Sequence, residues 1–288
     1  MTSRSKVLIT GASGLLAHEF ILKYHAEYEI FALTHSLVDN PVANVVYVDC
    51  DFSKSWNVEI LPREVDFIIH LAQSPKFRDF PNAAVEVFNV NLLSTMKLLD
   101  YAVNAKVKKF ILASSGGIYR ESSYPLTTNS EILSPTGLGH YFGSKLSAEI
   151  FANNYKEYFA VDINRIFFMY GPRQSNAMLI PRLIHSVKNG KAIQLAGIEG
   201  ISINPVYVQD VANYLRIQLN DSSSHVYNIA GPEIISIRRL AELIKGQFGG
   251  TLNFELLPES ANIVANADEF LKKMKYPLAT VSEGLSKF

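Results

Sequence analysis

Directly between the apolar run Val7-Leu8-Ile9 and the helix-like stretch Leu15 to Tyr24 lies Thr10-Gly11-Ala12-Ser13-Gly14-Leu15-Leu16-Ala17. A strand, a glycine-rich turn and a helix in immediate succession constrain the fold more than any other feature of the chain, because a helix leaving a strand end packs back over a parallel sheet. Gly11 suits the tight turn, Gly14 lets the backbone approach a pyrophosphate, and Ala17 is small enough for close helix–strand packing. The amides of Ala12, Ser13, Leu15 and Leu16 then lie at the positive end of a helix, where an anion is favoured. Taken alone, the same residues also suit an ordinary glycine-rich strand-to-helix turn.

Beyond that unit, short apolar runs keep alternating with helix-like stretches. Ile30-Phe31-Ala32-Leu33, Val45-Val46-Tyr47-Val48, Phe67-Ile68-Ile69-His70-Leu71, Phe110-Ile111-Leu112-Ala113 and Asp162-Ile163-Asn164-Arg165-Ile166-Phe167 read as strands. Segments from Ala83 to Val103 and from Tyr141 to Tyr158 read as helices. Continuous apolar strands alternating with helices predict an α/β fold, a Rossmann-like doubly wound parallel sheet covered on both faces. The rhythm changes after Tyr170-Gly171-Pro172-Arg173, where turn residues cluster. A later helix is expected over Ser236 to Phe248, capped by its serine and ended by Gly249-Gly250. A chain of 288 residues is therefore expected to hold a sheet-bearing domain (1–170 and 205–230) and a small C-terminal α/β lobe (171–204 and 231–288) in one globule.

Charge narrows the partners. Twenty-seven basic residues balance 27 acidic ones, which leaves no field to steer a polyanion, so no nucleic-acid binding is expected. With 48% apolar and 19% charged residues the chain is globular rather than disordered. No apolar run approaches the roughly 20 residues of a spanning helix, and Thr10 to Gly14 break the stretch that Arg4 and Lys6 introduce, so neither a membrane span nor a secretory signal is expected. A single cysteine, Cys50, cannot close an intrachain disulfide, and reads as a packing residue in a reducing, cytoplasmic setting. The seven histidines show no metal-site spacing, so no metal is expected.

Two further constellations carry chemistry. Tyr141-Phe142-Gly143-Ser144-Lys145 opens a helical stretch and sets Tyr141 and Lys145 one turn apart on one face. An ammonium beside a phenol favours the phenolate and draws its pKa down from about 10, toward a range useful for proton transfer. In a chain with 14 tyrosines the same spacing also fits an exposed helix pair. Ala113-Ser114-Ser115-Gly116-Gly117-Ile118-Tyr119 follows an apolar strand and so places a serine hydroxyl at a strand's carboxyl end, where parallel sheets bind ligands. The second strand ends Ala32-Leu33-Thr34-His35-Ser36, with no carboxylate before Asp39. Sites for unphosphorylated ribose hydroxyls place an acid there, so its absence tilts the expectation toward a 2′-phosphorylated dinucleotide beside Thr34, His35 and Ser36. His35 fits a solvated loop equally well.

In this order the signals resemble an extended short-chain dehydrogenase/reductase of the NAD(P)-dependent epimerase/dehydratase group, which acts mostly on nucleotide-linked sugars. The resemblance covers nearly the whole chain. Besides the glycine-rich turn, it is carried by Asp51-Phe52, His70-Leu71-Ala72, Asn89-Val90-Asn91, Ser114 to Tyr119, Tyr141 with Lys145, Arg165 through Gln174, Val206 to Val211, and Tyr227-Asn228-Ile229. It implies Tyr141 as general acid/base, Lys145 as the holder of the nicotinamide ribose and Ser115 as a hydrogen-bond partner of the reacting oxygen, with hydride passing to or from NAD(P), NADP slightly favoured. Asp51 and Phe52 match the adenine contact, Leu71 and Ala72 line the dinucleotide, Asn91 supports the central network, and Phe168 joins the cofactor set. Gln73, Gly116, Gly117, Arg173 and Asn204 are the implied substrate neighbours. A homodimer packed through helices around Leu92 to Val103 and Leu146 to Tyr158 is the implied assembly.

The sequence departs from the family pattern in three places. Gly116 and Gly117 stand where sugar dehydratases carry an acidic pair, which disfavours water elimination. Phe168 replaces an asparagine that contacts the nucleotide-sugar phosphates, and Ile203 or Asn204 replaces a pyrophosphate-binding arginine. Arg173, Arg182, Arg238 and Arg239 are the cations able to compensate. The leading expectation is an epimerase or ketosugar reductase acting on a nucleotide-activated sugar. Two alternatives stand beside it: a reductase of a smaller non-sugar carbonyl, and a non-catalytic dinucleotide-binding regulator.

Overall fold

The computed structural model describes residues 4–36, 38 and 40–288; Asp39 lies outside them. The strands are β1 (Lys6–Thr10), β2 (Glu29–Thr34), β3 (Val45–Asp49), β4 (Phe67–His70), β5 (Lys109–Ser115), β6 (Ala160–Ile166), β7 (Ala192–Ala196), β8 (Ser202–Ile203), β9 (His225–Ile229), β10 (Ile235–Ser236) and β11 (Asn253–Leu257). The helices are α1 (Leu15–Tyr24), α2 (Ala84–Phe88), α3 (Ser94–Asn104), α4 (Pro135–Asn153), α5 (Leu179–Lys188), α6 (Val208–Gln218), α7 (Ile237–Phe248), α8 (Asp268–Lys273) and α9 (Val281–Leu285). Seven strands form one parallel sheet in the order β3-β2-β1-β4-β5-β6-β9. The order reverses between β1 and β4, and in open parallel sheets ligands bind outside the carboxyl ends of the strands at such a switch point.

The chain divides into two compact units. The first comprises residues up to Ile118, Ile132–Arg165 and Ala212–Tyr227, and it carries β1 to β5 with most of β6 and β9. Val7, Leu8 and Ile9 are completely buried, which is why this strand reads as a continuous apolar run instead of an alternating one. Leu8, Ile68, Phe110, Leu98, Leu99 and Ile163 belong to one core cluster, joining strands to α3. A fully buried ion pair also crosses this unit: Lys109 Nζ lies 2.8 Å from Asp162 Oδ2, and donates to the carbonyls of Asp221 at 2.7 Å and Ser223 at 3.0 Å.

Two helices differ from their sequence expectation. The Ala83–Val103 segment is broken into α2 and α3 by a π-helical turn over Asn89–Leu93. The last helix of the region begins earlier than Tyr141, at Pro135, because the Ser134 side chain accepts the Gly137 amide as a cap, and it ends at Asn153. Within it Gly139 (φ 60°, ψ −171°) interrupts the helical backbone just before Tyr141. Gly139 sits where a side chain would strain the backbone, so the kink that starts the Tyr141 turn depends on it.

The second unit comprises Tyr119–Glu131, Ile166–Val211 and Asn228–Phe288. It holds two small sheets, β7 with β11 in parallel and β8 with β10 antiparallel. Helix α7 buries Ile237, Leu240, Ala241 and Ile244, one stripe at helical spacing. Its cap is Ser236, which accepts the Arg239 amide, and its end is Gly249 at φ 70°, as the sequence leads one to expect.

Candidate active site

The turn after β1 has the geometry of a pyrophosphate cradle. Gly11 has φ +69°, and a β-carbon there would meet Ala72 Cα at 3.0 Å, so only glycine lets β1 turn this close to the segment following β4. A β-carbon on Gly14 would stand 3.0 Å from the Gly11 carbonyl oxygen. Gly14 caps α1 without a side-chain hydrogen bond, and Ser13 and Gly14 are exposed, while the Ala12 amide is taken by the Leu33 carbonyl at 3.0 Å and the Gly14 amide by the Gly11 carbonyl at 2.8 Å. Ala12 and Leu16 are buried behind the turn.

Thr10 fixes the neighbouring strand ends. Its Oγ1 accepts the amides of Leu71 and Ala72, both at 3.1 Å, and its proton therefore goes to His70 Nδ1 at 2.7 Å. His70 is consequently the Nε2-protonated tautomer and donates to Thr95 Oγ1 at 2.9 Å, which donates to the Asn91 carbonyl at 2.8 Å. Burial holds the imidazole neutral, pushing its pKa down to about 3, with the Lys145 charge acting in the same direction. Asn91, on the π-helical turn, continues the chain: Oδ1 accepts the Ser74 amide at 3.0 Å and Nδ2 donates to Ser144 Oγ at 3.0 Å, which donates to the Tyr141 carbonyl at 2.7 Å. One hydrogen-bonded line thus runs from the glycine-rich turn to the Tyr141 turn. Thr95 and Ser74 carry no signal of their own in the sequence, and Thr10 and Ser144 stand there only as members of the two motifs; a π-helical turn leaves no periodicity that joins them.

Tyr141 and Lys145 occupy successive turns of α4. The Lys145 ammonium donates to the Ala113 carbonyl at 3.1 Å, and Ser115, the last residue of β5, lies two residues further on. Ser115 Oγ accepts the Gly117 amide at 3.2 Å. The Tyr141 hydroxyl donates to Gln73 Oε1 at 2.9 Å, and its ring packs against Phe77 and Phe142 at centroid distances of 4.7 and 5.1 Å. Burial pushes the phenol up to about 12, opposed by Arg78, and pushes Lys145 down to about 8, opposed by Glu149. The expectation that Lys145 depresses the phenol is not met: desolvation disfavours the charged form of either group, and the cation that opposes it at Tyr141 is Arg78 rather than Lys145.

The residues expected on the adenine side are also placed. Asp51 accepts the amide and hydroxyl of Ser53 at 2.9 and 2.6 Å, and these bonds with Lys54 hold its carboxyl down at about 2. Phe52 is buried against Trp56 at 4.9 Å. Thr34 Oγ1 donates to the Ser36 carbonyl at 3.0 Å, while His35 and Ser36 are exposed. The glycine-only turn, the exposed Ser13-Gly14 at the start of α1 and this edge fit a dinucleotide.

The residues expected beside the substrate have varied surroundings. Gly117 is packed beneath Phe142. In the second unit, Asn204 is buried with both ends of its amide bound to the Ala265 backbone, at 2.9 and 3.0 Å. Phe168 is half-buried at φ 44°, and Arg173 is exposed at φ 69°. Arg238 is held by the Ile198 carbonyl and the Phe254 ring, and Arg239 by Glu242. Cys50 is buried, its thiol pushed up to about 12 mainly by desolvation, in keeping with a packing role. Among the described residues no group of three or more His, Cys, Asp or Glu is placed to hold a metal ion, and no helix is long and apolar enough to cross a membrane.

The chain is similar to human dTDP-D-glucose 4,6-dehydratase, 27% identical over 259 residues, covering 83% of this chain and 73% of that protein. It is likewise similar to UDP-glucuronate 4-epimerase of Thermodesulfobacterium geofontis, 27% identical over 232 residues, covering 77% and 71%. A solved structure of UDP-glucuronic acid 4-epimerase from Bacillus cereus, in complex with UDP-glucuronic acid and NAD, shares the fold at a TM-score of 0.83 with 23% identity, covering 98% of this chain and 97% of that one. The model of the NAD dependent epimerase/dehydratase family matches residues 7–230, and the chain belongs to that family, within the extended short-chain dehydrogenases/reductases.

Proposed function

We propose that this protein is an NAD(P)-dependent epimerase or ketosugar reductase acting on a nucleotide-activated sugar, with Ser115, Tyr141 and Lys145 as its reactive set. The observation that carries the reading is the seating of the Lys145 ammonium on the Ala113 carbonyl, one helical turn from Tyr141 and two residues before Ser115. A bound nicotinamide would supply the acceptor and donor of the hydride. Tyr141 Oη takes the proton of the substrate hydroxyl on oxidation and returns it on reduction. Ser115 Oγ hydrogen-bonds the same oxygen and orients it. The Lys145 ammonium would hold the ribose side of the cofactor. Gln73, whose amide already accepts from the Tyr141 hydroxyl, stands where a substrate oxygen would compete for it.

Dehydration is the less favoured family reaction. Positions 116 and 117 are glycines, and the space a side chain at 117 would need is filled by Phe142. The strand end Thr34, His35 and Ser36, three residues without a carboxylate, supports tolerance of a 2′-phosphate. Leu93, Ile150 and Phe151, exposed at 37%, 56% and 39%, support a homodimer through the helices around Leu92 to Val103 and Leu146 to Tyr158. The cytoplasmic setting stays with the reading.

The test is mass spectrometry of the natively purified protein for a retained dinucleotide, followed by incubation with UDP-glucose, UDP-glucuronate and dTDP-glucose. The expected result is 4-epimerised product or, for the reductase, oxidation of NAD(P)H by the corresponding 4-ketosugar, and loss of at least about 100-fold in Tyr141→Phe. Unchanged turnover in Tyr141→Phe overturns the reading.

A further inference from the structure

Glu149 lies one turn beyond Lys145 on α4 and is 2% exposed. A carboxylate this deep is costly unless several donors satisfy it. Donors arrive from two strands. The Ser114 hydroxyl of β5 donates to Oε1, while Arg165 of β6 donates through Nε to both oxygens at 3.1 and 3.2 Å and through a terminal nitrogen to Oε2 at 2.7 Å.

The end of β5 is therefore apportioned along one helix. Ala113 takes Lys145, Ser114 takes Glu149, and Ser115 carries the hydroxyl assigned above to the reacting oxygen. A bare fold staple would not need this arrangement, because buried ion pairs are commonly no more stable than apolar replacements of the same volume. We infer that Glu149, clamped by Ser114 and Arg165, is a positioning residue for Lys145: it fixes the Tyr141–Lys145 turn against the last residues of β5 and supplies the negative charge a buried ammonium needs. The inference rests on the Ser115–Tyr141–Lys145 reading proposed above.

The surroundings of Lys145 leave Glu149 as its compensating charge. From β5 it meets a carbonyl; from β4 it faces His70, which burial keeps neutral; on its own helix lie Tyr141, protonated by burial, and Glu149. Arg165, from β6, is bound to Glu149. Burial lowers Lys145 to about 8, and Glu149 is the group acting against that fall.

The test uses the full chain and two readouts that need no turnover: titration of the Lys145 ammonium by nitrogen NMR, and NAD+ affinity. Glu149→Gln alone strands the Arg165 charge, so the informative proteins are Glu149→Gln/Arg165→Gln and, separately, Ser114→Ala, in which the charge pair stays. In the double variant Lys145 is expected to titrate about one pH unit lower, so that at about pH 9 its charged fraction falls about tenfold. Ser114→Ala is expected to leave that midpoint in place and weaken NAD+ binding several-fold, by releasing the turn from β5. An unchanged Lys145 midpoint in the folded double variant overturns the inference, and so does wild-type NAD+ affinity in Ser114→Ala. Should the double variant not fold, Ser114→Ala decides. Failure of Tyr141→Phe to slow turnover removes the catalytic reading while leaving both of these readouts standing, so the two failures are distinguishable.

Discussion

The ring of Phe142 stands 2.2 Å from the point where a β-carbon on Gly117 would lie. The obstacle is a half-buried side chain rather than backbone, so it can give way at a cost. Gly117→Glu is expected to destabilise the protein by about 1–3 kcal/mol, the usual range for overpacking. Phe142→Ala in the same chain should recover much of that loss, a coupling read from urea unfolding of the two single variants and the double. Independent, additive effects would sink the idea that this ring closes the position where dehydratases carry an acid.

A buried neutral histidine makes stability depend on acid. His70 has a folded pKa of about 3, below its ordinary value near 6.5, so the unfolded chain binds the extra proton. Its contribution is fully present above about pH 6.5 and is lost as pH falls toward 3, at about 1.4 kcal/mol per pH unit. The difference in unfolding free energy between wild type and His70→Gln should therefore shrink by about 2 kcal/mol between pH 6.5 and 5. A difference that stays flat with pH would mean that His70 is not the neutral link between Thr10 and Thr95.

Much of this architecture is legible before any coordinates. The unbroken apolar run Val7-Leu8-Ile9 announces a strand buried on both faces, and Gly11 announces the close approach to Ala72. Ser236 and Gly249 mark both ends of α7 because caps are local chemistry. What escapes the sequence is long-range. Glu149 is an ordinary helix residue until folding brings Ser114 and Arg165 to it, and Asn91 reaches Ser144 only because a π-helical turn re-aims it. The opposite case is Asn204, whose place near a motif suggests a ligand contact while its hydrogen bonds go to the Ala265 backbone.

Cofactor choice should turn on the end of β2. Thr34 accepts the Ser36 amide at 3.3 Å, a turn that an aspartate side chain also makes, so Thr34→Asp can keep the local backbone while adding a negative charge. That charge repels a 2′-phosphate and can accept from a 2′-hydroxyl. The expected shift in the ratio of NADPH to NADH dissociation constants is about tenfold toward NADH. Fluorescence titration with both nucleotides measures it, and an unchanged ratio removes this strand end from cofactor selection.

The Lys109–Asp162 pair makes the sheet sensitive to a single substitution. Both side chains are 1% exposed, and Asp162 also accepts from Gln218 Nε2 at 2.8 Å and from the His225 amide at 3.0 Å. Desolvation raises the Asp162 pKa, opposed chiefly by Lys109, so the ammonium is what makes a buried carboxylate tolerable there. Lys109→Met fills similar volume but leaves that carboxylate without a counter-charge and the Asp221 and Ser223 carbonyls without a donor. A loss of about 3–5 kcal/mol is expected from urea unfolding at neutral pH. Removing the acid as well, in Lys109→Met/Asp162→Leu, should return part of it, because the largest cost is the stranded charge. If the single variant unfolds at the wild-type midpoint, the pair contributes nothing to the sheet.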